Sequence, residues 1–127
     1  MKRLSQRALL ACWLGTAACA EPESDCLREP ALDYDNFGRG FVEQFCAGCH
    51  SSLTPPAHRN GAPPGLDFDH YGAVMSWAER IEARVMEPDP GRAMPPGGGP
   101  SEEERARLRE WVQCSVLPDR DRAEEQE

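Results

Sequence analysis

Apolar residues recur at helical spacing in three stretches of the chain, and proline and glycine separate those stretches. In the first, residues 35–45, Phe37, Phe41 and Phe45 stand four residues apart, with Gly38 and Val42 beside the stripe. Four residues is close to one helical turn, so the three rings share a face, and that face is expected to look into a core. In the second, Tyr71, Val74, Ala78, Ile81 and Val85 mark one apolar face, while Arg80, Glu82, Arg84 and Glu87 fall mostly off it and read as solvated. Asp69 is placed to cap this helix, which would begin at His70. The third stretch has a capping box: Ser101 is followed three residues later by Glu104. Glu102 and Glu103 also suit the positive end of the helix dipole, and Leu108, Trp111 and Val112 supply the apolar side. No stretch alternates as a strand would, and no segment repeats. After Pro118 the residues are mostly charged, which predicts a frayed tail.

The connections are long and irregular. Residues 51–66 include Pro55-Pro56 and Pro63-Pro64-Gly65, and residues 87–100 include Met94-Pro95-Pro96-Gly97-Gly98-Gly99. The pattern therefore predicts an all-α fold of about three short helices joined by proline- and glycine-rich loops.

Residues 1–18 follow a different rule. Lys2, Arg3 and Arg7 make a positive start, Ala8-Leu9-Leu10-Ala11-Cys12-Trp13-Leu14 is a short apolar run, and Thr16-Ala17-Ala18 is a small-residue end. This is the three-part layout of a secretory signal, and the run is shorter than the about 20 apolar residues of a membrane span. A buried N-terminal helix is the alternative. Cleavage leaves roughly a hundred residues, enough for one small domain. The expected organisation is a signal at 1–18, an acidic tether at 19–32, a folded domain at 33–118 and a charged tail at 119–127.

Charge narrows the partners. The whole chain carries −8; losing the three basic residues of the signal from 14 leaves 11 against 22 acidic ones, or −11. Lys2 is the only lysine. Nucleic acid is excluded as a partner because phosphate binding needs a basic surface, and a protein docked by charge should present a basic face.

Six cysteines need accounting. Cys12 lies in the signal, and Cys46 and Cys49 belong to one motif, leaving Cys19, Cys26 and Cys114, an odd number for an oxidising compartment. Ala17-Ala18-Cys19 resembles the end of a bacterial lipoprotein signal, although Thr16 stands where leucine is preferred. Leu9-Leu10-Ala11-Cys12 matches that local pattern better but leaves too short an apolar run before it. If Cys19 is lipidated, Cys26 and Cys114 remain to form one disulfide. Ordinary cleavage near Ala18 or Ala20 would instead leave Cys19 free or paired between molecules. A lipid would tether the protein to a membrane surface without spanning it, and either route places it in the periplasm or on a membrane facing it.

Cys46-Ala47-Gly48-Cys49-His50 is the attachment motif for haem c. Two thiols on one short turn can add to the two vinyl groups at the porphyrin edge, and the next residue, His50, can then coordinate iron. Small Ala47 and Gly48 let the turn approach closely. A redox dithiol would want a βαβ setting, and a zinc site a second Cys/His pair at suitable spacing; neither accompanies this motif.

With the motif in place, the chain resembles the small single-haem c-type cytochromes over about residues 33–117. Gly38 and Val42 lie eight and four residues before Cys46, where that family crosses its first and last helices, and Leu108 and Trp111 match the leucine-plus-aromatic pair of the last helix. The resemblance implies a cytochrome c-like fold around one covalent haem, with His50 and Met94, the methionine before Pro95, as iron ligands. His58 and His70 are competing ligands, and Met75 and Met86 fit a helix better. Arg59, Asn60 and Arg92 are candidates for the haem propionates, and Trp77 for either the haem or the core. The implied function is electron transfer with both axial positions filled, without enzymatic activity of its own. The alternatives are a haem-based sensor or small-ligand module with a displaceable distal ligand, and a haem subunit of a larger oxidoreductase. Partners would be redox proteins and, through Cys19, a membrane surface.

Overall fold

The computed structural model describes residues 26–126. The expected signal at 1–18, Cys19 and the first part of the expected acidic tether lie outside the described residues. Among the described residues the chain is all-α, with α1 (Arg39–Phe45), α2 (Tyr71–Val85), α3 (Glu102–Trp111) and α4 (Leu117–Glu124). A π-helical turn, Tyr34–Gly38, leads into α1, and another, Val112–Val116, joins α3 to α4, so three helical bodies result. None of these helices is long and apolar enough to cross a membrane.

Each body begins where side chains satisfy its free N–H groups. Ahead of α1, Asp33 accepts from the Asn36 N–H at 2.7 Å while the Asn36 side chain accepts from the Asp33 N–H at 2.9 Å, which starts the helix just before the aromatic stripe. At α3, Ser101 and Glu104 form the expected box, at 3.2 and 2.8 Å. At α2 the expectation fails. His70, not Asp69, caps the helix, its Nδ1 accepting from the Ala73 N–H at 3.1 Å, and α2 starts at Tyr71. Asp69 turns back to accept from the Ser52 N–H at 2.9 Å. A carboxylate and an imidazole both accept N–H bonds, and the long loop between 52 and 69 decided which of them the helix received.

The core forms where the Tyr34–Gly38 turn leading into α1 crosses α3. Trp111 and Leu108 are wholly buried, with Phe41, Val42, Val74, Ala78, Ile81, Val85, Val112 and Val116 around them. The crossing is close because residue 38 has no side chain: a Cβ there would lie 2.1 Å from Trp111 Cζ2. Phe37 meets the indole edge-on at 5.8 Å, and the stacked rings of Tyr34 and Tyr71 each lie 6.4 Å from it. Such ring pairs add to the gain from area burial alone.

Two boundaries move. Residues 119–124 are helical rather than frayed: α4 continues from the π-helical turn with Pro118 in its first turn. The Tyr71 hydroxyl donates to Asp119 at 2.6 Å and Arg120 reaches Glu79 at 3.2 Å, tying α4 to α2. Residues 26–32 are part of the domain rather than a tether. Cys26 is disulfide-bonded to Cys114. Arg28 makes a two-pronged pair with Glu110 at 2.6 and 2.9 Å, Leu32 is buried, and the Leu32 carbonyl accepts from the Ser115 hydroxyl at 2.5 Å.

Candidate functional site

Helix α1 ends at Phe45, and the chain turns at once. The Cys49 and His50 N–H groups both donate to the Cys46 carbonyl, at 3.1 and 2.8 Å, so residues 46–50 form one tight turn. Cys46 and Cys49 are not joined to each other. Both line a mostly apolar cavity of about 460 Å³, together with His50 and Met94. Phe45, Phe68, Ile81 and Val85 contribute apolar wall.

Burial pushes the Cys46 thiol up to about 12, so at neutral pH it is a protonated thiol. The described residues hold no cluster of three or more His, Cys, Asp and Glu side chains that could bind an ion. Iron in a haem takes only its two axial donors from protein, so the lack of such a cluster is compatible with that cofactor.

His50 is fixed on two sides. Its Nδ1 lies 2.9 Å from the Leu66 carbonyl, which can only accept, so Nδ1 carries the proton and Nε2 keeps the lone pair. The ring stacks on Phe68 at 4.9 Å, and the Phe68 N–H donates to the His50 carbonyl at 2.8 Å. Asp69 secures the other edge of the turn: donors from Ser52 and Ser51 hold its carboxyl down to about 2.

The competing ligands are elsewhere. His58 is exposed in the 3₁₀ turn Pro56–His58 and absent from the cavity wall, and His70 is engaged as a helix cap. Met75 and Met86 pack against the core. Of these methionines only Met94 lines the cavity, and it is 42% exposed. Its N–H donates to the Arg84 carbonyl at 3.0 Å, and Arg92 pairs with Glu87 at 2.6 Å, which braces the loop on the end of α2.

Trp77, left open between cofactor and core by its sequence, is 39% exposed in the cavity wall. Three arginines depart from their sequence reading. Arg80 and Arg84, read as solvated, line the same cavity, Arg80 lying over the Trp77 ring at 6.0 Å. Positions 77, 80 and 84 share a helical face at spacings of three and four, a signal present in the sequence beside the stronger apolar stripe. Arg59, expected in solvent or on a propionate, is 6% exposed and bound to loop carbonyls. Asn60 lines the cavity in the left-handed region, at φ 48°.

Compared with known protein families, with curated proteins and with solved structures, the chain matches none.

Proposed function

We propose that this chain is an exported c-type cytochrome with a cytochrome c-like fold. It carries one haem bonded through Cys46 and Cys49, with His50 and Met94 as the iron ligands, and acts as an electron carrier. The observation that carries this reading is the gathering of both motif thiols, His50 and Met94 on one mostly apolar cavity of about 460 Å³. That volume lies within the roughly 300–1,000 Å³ of sites that enclose drug-sized ligands and cofactors. The close crossing of Gly38 on Trp111 supports the cytochrome c-like arrangement of the first and last helices.

When bound, haem supplies a one-electron couple, and a thioether ligand favours its reduced form. The residues do the rest. The Leu66 carbonyl fixes the His50 tautomer so that Nε2 is the donor nitrogen. Phe45, Phe68, Ile81 and Val85 keep water from the wall of the site. The proline-flanked loop, braced through Met94 N–H and Arg92, holds a neutral sulfur ligand. The acidic chain favours a redox partner with a basic face. A lipid on Cys19 would hold the protein at a membrane surface on the periplasmic side.

The exposure of Met94 favours a second reading, a sensor whose distal ligand is displaced. Carbon monoxide binding by the reduced wild-type protein would support the sensor, and its absence the carrier. The main test is a pyridine haemochrome spectrum of protein exported with its signal intact. Haem c should be present, and staining after denaturing electrophoresis should vanish in the Cys46→Ala, Cys49→Ala double variant. Staining that survives the double change would refute the attachment.

A further inference from the structure

We infer that Arg59 is a positioning residue for His50, and that together with Asp67 it tunes the reduction potential of the site. The inference rests on the reading of His50 as an iron ligand.

Arg59 follows the haem motif in a polar, proline-rich loop, yet it is 6% exposed. Each of its three guanidinium nitrogens has a partner. Nη1 donates to the carbonyl of Ser51, the residue after His50, at 2.6 Å. Nε donates to the Ala62 carbonyl at 3.2 Å, and Nη2 to the Pro63 carbonyl at 2.7 Å. Nη2 also pairs with Asp67, the residue after Leu66, at 2.7 Å, and makes a long contact of 3.5 Å to the Leu66 carbonyl itself. That carbonyl accepts the His50 Nδ1–H at 2.9 Å. One planar fork thus spans the strand of loop carrying the imidazole and the strand carrying its acceptor. Lysine, a single ammonium without the fork, could not hold both.

The consequence is electrostatic as well as geometric. The better the Leu66 carbonyl accepts, the more electron density the imidazole carries, and the more the oxidised, more positive iron is favoured. Arg59 places positive charge on the acceptor side and weakens that acceptance; Asp67 opposes it. Removing either charge leaves the other uncompensated in a low-exposure site, where screening by water is weak. The two removals should therefore act in opposite directions.

The test uses the full-length, exported, haem-loaded protein and three variants: Arg59→Gln, Asp67→Asn and Arg59→Lys. Haem staining, thermal midpoint, reduction potential and the NMR signal of His50 Nδ1–H are measured for each. Arg59→Gln should shift the reduced-to-oxidised equilibrium constant down by about tenfold, about 59 mV for one electron. Asp67→Asn should shift it up, and Arg59→Lys should fall between wild type and Arg59→Gln. A purely structural Arg59 would lower the midpoints of both variants without opposite shifts in potential, and that result overturns the inference. If Arg59→Gln does not fold, Asp67→Asn decides: an unchanged or lowered potential overturns it. If the wild type carries no haem, the iron-ligand reading is what has failed. The hold of Arg59 on His50 is then read from solvent exchange of Nδ1–H, expected to be roughly tenfold faster in Arg59→Gln. Unchanged exchange would overturn it.

Discussion

Trp111 and Trp77 place the same side chain in two settings. Trp111 has no exposed surface and touches Gly38, Phe37, Tyr34 and Tyr71, whereas Trp77 is 39% exposed in a cavity wall beside Arg80. The regions around them are built differently. Around Trp111 the interior is filled by the chain's own apolar side chains, and its boundaries are sealed by Cys26–Cys114 and the Arg28–Glu110 pair. Around the cavity, one face of α2 is completed by loops held by hydrogen bonds that involve the main chain, from Arg59 to Ser51 and Pro63, from Ser52 to Asp69 and from Met94 to Arg84. Close packing gives the first region stability, and polar bonds to backbone give the second its shape without filling it.

The sharpest way to break this contrast is to make the same change at both sites. Trp111→Ala should cost about 5 kcal/mol, the upper end of the range for a buried aromatic, because a full ring volume is lost where several partners cannot all follow. Trp77→Ala should cost under about 1 kcal/mol, as substitutions at well-exposed positions do. Urea unfolding of both variants compares them, and similar losses would show that the two regions are packed alike.

Next in size is the staple. Replacing Cys26 and Cys114 by serine releases a loop closed over a separation of 88 residues. The chain-entropy model puts the loss at about 4.6 kcal/mol. Mass spectrometry of non-reduced peptides checks the bond, and thermal unfolding the loss. Free thiols at both positions would remove the seal assigned to the Trp111 region.

The cavity region should answer to pH instead. Ser51 and Ser52 lower the Asp69 carboxyl from 3.8 to about 2. The folded state favours the charged form, so this contribution is present above pH 3.8 and is lost as pH falls towards 2. Asp69 is exposed, so the change should be small, weaker in high salt, and local to residues 51–69. NMR of that loop between pH 5 and 2 should show it, and Asp69→Asn should abolish it. A transition spread through the core would contradict the division into two regions.

The smallest effect on stability, under about 1 kcal/mol, is expected for Met94→Ala, again because the residue is well exposed. On the proposed haem its chemical effect should be large: loss of the weak absorption band near the red end of the visible spectrum and opening of the iron to carbon monoxide, with haem attachment intact. A band that persists would assign the distal position to another residue.

Local signals made much of this legible from residue order. The apolar spacing of 74, 78, 81 and 85 marked the buried face of α2, and Ser101 with Glu104 marked the start of α3, because both are rules of contact within one helix. The count of cysteines left Cys19, Cys26 and Cys114, and paired the last two only if Cys19 is lipidated; Cys26 and Cys114 are bonded. The close spacing of Cys46, Cys49 and His50 placed them on one turn, since five residues carry their own geometry.

Residue order could not say where long loops return. Asp69 went to Ser52 and left the cap of α2 to His70; Arg59 was drawn into loop carbonyls rather than solvent; Arg80 and Arg84 came to a cavity wall; and residues 119–124 found helical partners on α2. Each outcome joins groups far apart in sequence or chooses between acceptors of similar strength, and such choices depend on how the whole chain closes. Residue order alone marked α1 to α3 and the residues of the motif. That both motif thiols, His50 and Met94 line one apolar cavity depends on the closed chain, because the packing of α2 on the Trp111 core brings the loop carrying Met94 to the same cavity as the turn carrying Cys46 and Cys49.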